Sequence, residues 1–310
     1  MIKIPKIAVL CNNRMAFPAL QALQSQGMLC AIGVPHNNID VVDFCRVFSG
    51  QTGVQLLLFS KENLTNQLTD LITRSNADYI FTMTFPWKIP ENILTKHTSK
   101  FYNFHFGLLP EMRGADPVFE SLRSQMPETG ITVHSIENEI DKGQIILKKQ
   151  MAINKGMTHG VLCTNLSLLN IQTLQELLIL LQTNSKGIAQ DEKKAKYYKR
   201  PAAADVCISW QKQDAKTIEA LARACNPWNK GAYMQWNGWN IRVVEAKIID
   251  EVSDYPPGTV LSIDETNGLT VQCNNNTQLR LDIVYTDEGF MSGHKLLAFG
   301  MKKGNQLTNL

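Results

Sequence analysis

Asn103 and His105 stand two residues apart in the run Asn103-Phe104-His105-Phe106-Gly107-Leu108-Leu109-Pro110. An amide and an imidazole on one face of a strand can stabilise an oxyanion or handle a proton. Residues 101–106 alternate polar and aromatic side chains, the period of a strand. A solvated edge strand would carry such a pair without any chemistry. The intervening aromatic residues argue instead for a strand packed into a core. The pair ends that strand just before a Pro-terminated loop, the usual ligand position of an α/β sheet.

Two further pieces lie close by. Arg113-Gly114-Ala115-Asp116-Pro117 is turn chemistry that introduces a helix near 118–125. Gly130-Ile131-Thr132-Val133-His134-Ser135-Ile136 alternates again and leads into Glu139-Ile140-Asp141-Lys142-Gly143. That second loop can bring the Asp141 carboxylate against His105. Composition alone leaves a catalytic His105 evenly matched with a structural one. His134, between Val133 and Ser135, reads as structural.

The order and spacing of Asn-x-His-x-x-Leu-Leu-Pro at 103–110, Arg-Gly-x-x-Pro at 113–117, Gly-Ile-Thr-x-His at 130–134 and Asp-x-Gly-x-Ile at 141–145 decide between them. Together they resemble the 10-formyltetrahydrofolate-dependent formyltransferases, most of all the methionyl-tRNA formyltransferase-like branch. The resemblance implies formyl transfer to an amine, with Asn103, His105 and Asp141 as the catalytic set. Many members carry Ser where this chain has Gly107. Such a transfer needs a neutral amine, a formyl carbon in its path and donors for the oxyanion. No nucleophile constellation for a covalent enzyme intermediate is visible.

The elements that must position these residues follow an α/β pattern. Apolar runs at 6–11, 29–34, 54–59 and 78–83 alternate with helical spacing at 15–26, 41–49 and 62–73. This predicts a doubly wound, mostly parallel sheet with helices on both faces, a Rossmann-like arrangement. No Gly-x-Gly-x-x-Gly or Walker-type loop follows the first run, so a dinucleotide or ATP site lacks its fingerprint. Phe85-Pro86-Trp87-Lys88-Ile89 sits in a loop stiffened by two prolines. By itself that loop reads as a core cap; the resemblance turns it into a wall for the pterin. It implies a folate site made of Phe85, Pro86, Trp87, Lys88 and Ile89 with Glu139, Ile140, Lys142 and Gly143.

A strand at 145–153 and a long helix at 160–183 complete a catalytic domain over 1–185. Residues 186–206 are charged and read as a solvated linker. Over 207–310 the character changes. A helix capped by Asp214 stops at Asn226-Pro227-Trp228, and alternating segments joined by Asn237-Gly238 and Asn267-Gly268 predict a small antiparallel, OB-like barrel. The match of this half to the family rests on 226–228 and on Pro257-Gly258-Thr259-Val260-Leu261.

Net charge is +3 and spread out, which neither favours nor excludes nucleic acid. The seven cysteines are scattered singly, as expected of reduced thiols in a cytoplasmic protein, and no metal spacing occurs. The first six residues show no signal peptide, and no apolar run is long enough for a membrane span. The acceptor side is assigned to Asn12, Arg14, Arg113 and Tyr197. Three functions follow as expectations: formylation of a small or nucleotide-linked amine such as an amino sugar, formylation of methionyl-tRNA, and a non-catalytic binding protein on the same fold. The first is preferred. The stretch after the second strand, 35–43, is short and has no Lys or Arg, where methionyl-tRNA formyltransferases carry a basic insertion.

Overall fold

The structure, a computed structural model, describes residues 4–97, 100–183 and 186–308. Met1-Ile2-Lys3 of the leader reading and the expected domain boundary at residue 185 lie outside the described residues. The chain forms two compact units. The first comprises Met1–Pro117, Glu128–Met151 and Cys163–Tyr198; the second comprises Val118–Pro127, Ala152–Leu162 and Lys199–Leu310.

In chain order the elements are β1 (Ile7–Cys11), α1 (Phe17–Ser25), β2 (Leu29–Pro35), α2 (Ile39–Thr52), β3 (Gln55–Phe59), α3 (Leu64–Ser75), β4 (Tyr79–Met83), α4 (Glu91–Lys96) and β5 (Lys100–His105). There follow β6 (Arg113–Gly114), α5 (Pro117–Arg123), β7 (Glu128–Ser135), β8 (Ile145–Ala152), α6 (His159–Gln182) and β9 (Tyr197–Tyr198). The sheet of the first unit has seven strands in the order β3-β2-β1-β4-β5-β7-β8. Strands β1 to β5 pair in parallel, and β7 pairs antiparallel with β5. Every residue of β1 is buried, which explains its unbroken apolar run. α3 buries Leu64, Leu68, Leu71 and Ile72 at helical spacing against Phe59, Ile80, Ile89 and Phe101. Burial of each such side chain contributes about 2 kcal/mol. The helix expected from residue 15 begins with a 3-10 turn at Arg14–Ala16, because the Asn13 side chain accepts from the Met15 N–H and tightens the entry.

In the second unit, α7 (Ala215–Ala224) is capped by Asp214, whose carboxylate accepts from the Thr217 N–H at 2.8 Å. Ile218, Leu221, Ala222 and Cys225 are buried. The strands β10 (Ala232–Trp236), β11 (Trp239–Ile249), β12 (Val260–Asp264), β13 (Gly268–Gln272), β14 (Gln278–Thr286) and β15 (Gly289–Ser292) form one antiparallel sheet. Asn237 and Gly238 both have positive φ, 45° and 79°, as a two-residue hairpin between β10 and β11 requires. Bridges from Gln235 to Thr308 and from Thr259 to Gln306 join the two free edges of the sheet. The tail of the chain thus closes it as a barrel. Among the described residues no helix is long and apolar enough to cross a membrane.

Candidate active site

The site begins as a row across three strands. Asn103 on β5 lies in register with Thr82 on β4 and with His134 on β7. Thr82 Oγ1 donates to Asn103 Oδ1 at 2.7 Å, and Asn103 Nδ2 donates to His134 Nε2 at 3.1 Å. His134 Nδ1 donates to the Ser135 carbonyl at 2.8 Å. A carbonyl only accepts, so the His134 proton sits on Nδ1 and its Nε2 accepts. The row fixes which end of the Asn103 amide points where, and leaves one Nδ2–H uncommitted.

His105 ends β5, and its Nε2 donates to the Met112 carbonyl at 2.6 Å. Asp141 reaches in from the turn after β7. Its Oδ1 lies 3.6 Å from His105 Nδ1 and 3.7 Å from His134 Nε2, and its Oδ2 accepts from the Gly114 N–H at 2.9 Å. Asn103, His105 and Asp141 are therefore brought together. Burial pushes the Asp141 carboxyl up. Charge on His105 at the acid pH where the carboxyl titrates, together with His134 and the Gly114 N–H, outweighs it and holds the group at about 2. Burial is also the largest influence on His105 and pushes its pKa below the ordinary histidine value, against the pull of Asp141. The resting site holds an anionic carboxylate beside a neutral ring.

A groove of about 670 Å³, lined by Lys88, Arg113, Glu139, Ile140, Lys142 and Tyr197 among others but by no side chain of the triad, lies at the turn that carries Asp141. Ile140 and Tyr197 expose apolar surface to solvent. Lys88 Nζ donates to Asn138 Oδ1 at 2.8 Å, tying the proline-stiffened loop to the turn, and Lys142 pairs with Glu139. Gly143 packs on Ser135 so closely that a Cβ would sit 1.7 Å from its carbonyl oxygen. The rest of the proline-stiffened loop behaves differently. Ile89 is 3% exposed within the core, and Phe85 and Trp87 stack edge to face at 5.4 Å against that core. Pro86 and Trp87 line a separate depression of about 390 Å³ with Lys61 and Leu64.

Of the acceptor-side residues, Asn12 accepts from Asn38 Nδ2 at 2.8 Å through both its backbone and side-chain oxygens. Arg14 makes an exposed contact with Asp40 at 3.5 Å. Arg113 is only 4% exposed. A buried guanidinium needs partners, and it finds them in Gln190 at 3.1 and 2.9 Å and Glu192 at 3.0 and 2.7 Å. Tyr197 stands in β9, which pairs with β6. Residues 190–198 thus pack on the first unit. Thr82 and Gln190 join this cluster without any signal from residue type, and His134, read as structural, meets Asn103 and Asp141. The alternation of β7 put His134 on a definite face; which neighbour it met depended on register.

An α/β sheet that brings an amide, an imidazole and a carboxylate together offers the donors and the proton-handling group that a group transfer uses. The chain matches a family described as formyl transferase over residues 20–178 and its C-terminal domain over residues 202–298. It belongs to the formyltransferase family. A methionyl-tRNA formyltransferase of Bacillus velezensis is 29% identical over 228 residues, covering 73% of this chain and 71% of the relative. Among solved structures, WlaRD, a sugar 3N-formyl transferase, superposes with a TM-score of 0.66 at 16% identity, covering 89% of this chain and 97% of that one. HypX from Aquifex aeolicus gives a TM-score of 0.65 at 16% identity over 95% of this chain, which spans about half of HypX (47%). Among the described residues no cluster of metal-ligating side chains occurs.

Proposed function

We propose that this chain moves a formyl group from 10-formyltetrahydrofolate to the primary amine of a small or nucleotide-linked molecule, such as an amino sugar. The observation that carries formyl transfer is the convergence of Asn103, His105 and Asp141 at one strand end. The groove fits a folate: Ile140 and Tyr197 offer apolar surface to a flat heterocycle, and Lys88, Lys142 and Lys196 at its walls suit an anionic tail. When bound, the folate supplies the formyl carbon as electrophile. The uncommitted Asn103 Nδ2–H and the His105 Nε2–H are the donors for the formyl oxygen as charge builds on it, the latter leaving the Met112 carbonyl. Asp141 stays ionised and stabilises positive charge on His105 while the ring holds the amine's proton at Nδ1, and that proton is then returned to the folate nitrogen whose bond to the formyl carbon breaks.

For the acceptor, only His36, Asn37 and Asn38 separate β2 from α2, a connection with no Lys or Arg to offer a tRNA acceptor arm. Methionyl-tRNA is the second reading, favoured by the name of the Bacillus velezensis relative and by the antiparallel C-terminal unit. An acceptor screen with 10-formyltetrahydrofolate, comparing charged initiator tRNA with nucleotide-linked amino sugars, decides. Turnover of an amino sugar supports the first reading. Efficient formylation of methionyl-tRNA, falling steeply as salt rises, replaces it with the second.

A further inference from the structure

Gln190 spends every hydrogen-bonding position of its side chain on two loops that flank His105. Its Nε2 donates to the backbone carbonyls of Asp141 at 2.7 Å and Gly143 at 2.8 Å. Its Oε1 accepts from Arg113 Nε at 3.1 Å and Nη2 at 2.9 Å. A primary amide has two N–H groups and two lone pairs, so the group is saturated. The turn it holds is not one the chain adopts freely. Asp141 has φ +57°, in the left-handed region that costs a side-chain-bearing residue about 1 kcal/mol or more. Such a conformation persists only where its surroundings over-determine it. Here the Gly114 N–H holds the carboxylate of Asp141, while Gln190 holds its carbonyl.

We propose that Gln190 is a positioning residue: by tying the Asp141 and Gly143 carbonyls to Arg113, it keeps the Asp141 carboxylate aimed between His105 and His134. The inference rests on the proposed catalytic roles of His105 and Asp141. At 3.6 and 3.7 Å, Asp141 acts on the two rings by charge, and a withdrawal of about 1 Å weakens both interactions. Arg113 keeps two bonds to Glu192 when Gln190 changes, so its burial is not left uncompensated.

Two variants separate the contacts. Gln190→Met keeps the size and loses all four bonds. Gln190→Glu keeps acceptors for Arg113 and loses both donors to the turn. The ionisable neighbours of His105 are Asp141 and His134, and Glu192, Asp141 and Glu139 act on Arg113 close by, so the neutral Gln190→Met is the variant for titration. The His105 imidazole titration, followed by NMR without substrate, is compared in the parent protein, Gln190→Met, Asp141→Asn and the double variant. Asp141 raises the proton affinity of His105. Gln190→Met is therefore expected to move the titration to lower pH, in the direction of Asp141→Asn, and the double variant to match Asp141→Asn. With 10-formyltetrahydrofolate and the acceptor found in the screen, both Gln190 variants are expected to lose about tenfold in kcat, with KM for the folate changed by less than about threefold. An unmoved titration in Gln190→Met overturns the proposal, and so do additive shifts in the double variant. Should Gln190→Met fail to fold, Gln190→Glu decides, and full turnover there is the overturning result. Full turnover of Asp141→Asn with the titration shifted as expected sinks the catalytic reading and leaves the positioning role standing.

Discussion

Asn103 donates to Nε2 of His134 at 3.1 Å, and this bond is what commits the Asn103 amide to one orientation. The acceptor nitrogen is bare because the other ring nitrogen donates to the Ser135 carbonyl. His134→Phe keeps a ring of similar size and removes the acceptor. It is expected to lower kcat about tenfold, less than Asn103→Ala, with folding retained. Steady-state kinetics of the two variants side by side check the ranking; equal kcat for His134→Phe and the parent protein contradicts it.

His105→Ala removes one donor to the formyl oxygen and the ring that Asp141 serves. A loss of about 10²-fold or more in turnover is expected, corresponding to roughly 3 kcal/mol of barrier. Circular dichroism should report an intact fold. Near-normal turnover by the variant removes His105 from the mechanism.

The buried pair also makes stability depend on pH, and both signs agree. His105 has a folded pKa below its ordinary 6.5, so its contribution is fully present above that value and is lost as pH falls. Asp141 is held at about 2 against an ordinary 3.8, so its contribution is present above about 4 and is lost as pH falls through about 2. The second step is on the order of 2 kcal/mol. Thermal melts from pH 7 to 2 are expected to show Asp141→Asn losing less stability below pH 4 than the parent; parallel curves for the two proteins contradict the assignment.

Gly107 occupies the position where many family members carry Ser. A Cβ there would lie 2.6 Å from Pro117 Cβ and 3.2 Å from His105 Nε2, and the proline ring cannot rotate away. Gly107→Ser is expected to destabilise the protein by about 1–3 kcal/mol through overpacking and to disturb His105. Chemical denaturation measures the first effect and kcat the second. A stable, fully active variant would show that the loop yields without cost.

Reduced folate is expected to protect 139–143 from hydrogen exchange and to raise the melting temperature. Within 84–90, protection is expected around Lys88, the one residue of that loop that shares the groove with the turn. An unprotected turn at saturating folate moves the donor site elsewhere.

Much of the site was legible because its chemistry is local. Asn103 and His105 share a strand, and the aromatic residues between them announced which face was buried. Asp141 followed from the turn after the next alternating segment. What stayed hidden depends on residues far apart in the chain. Arg113 read as a turn residue free to meet the acceptor, since its partners Gln190 and Glu192 lie 77 and 79 residues away. Those partners sit in a charged stretch that looks like linker by composition, and pattern cannot show that β9 will pair with β6. Ile89 read as a wall residue because a loop carries no period to say which side chains turn inward. Thr82 drew no notice: a threonine in a buried strand is ordinary until its neighbour across the sheet is known.

The pairing of β7 antiparallel to β5 carries one more consequence. Asn103 meets His134 and His105 meets Thr132 only in this register, and a slip of one residue would turn every side chain of β7 to the opposite face. A single-residue insertion within β5 or β7 therefore erases the donor row at a stroke, whatever it inserts. The loop that carries Lys88 to the groove lies outside the sheet and is under no such rule. The transfer chemistry is thus set as one block by strand register, whereas a change in that loop alters one contact at a time.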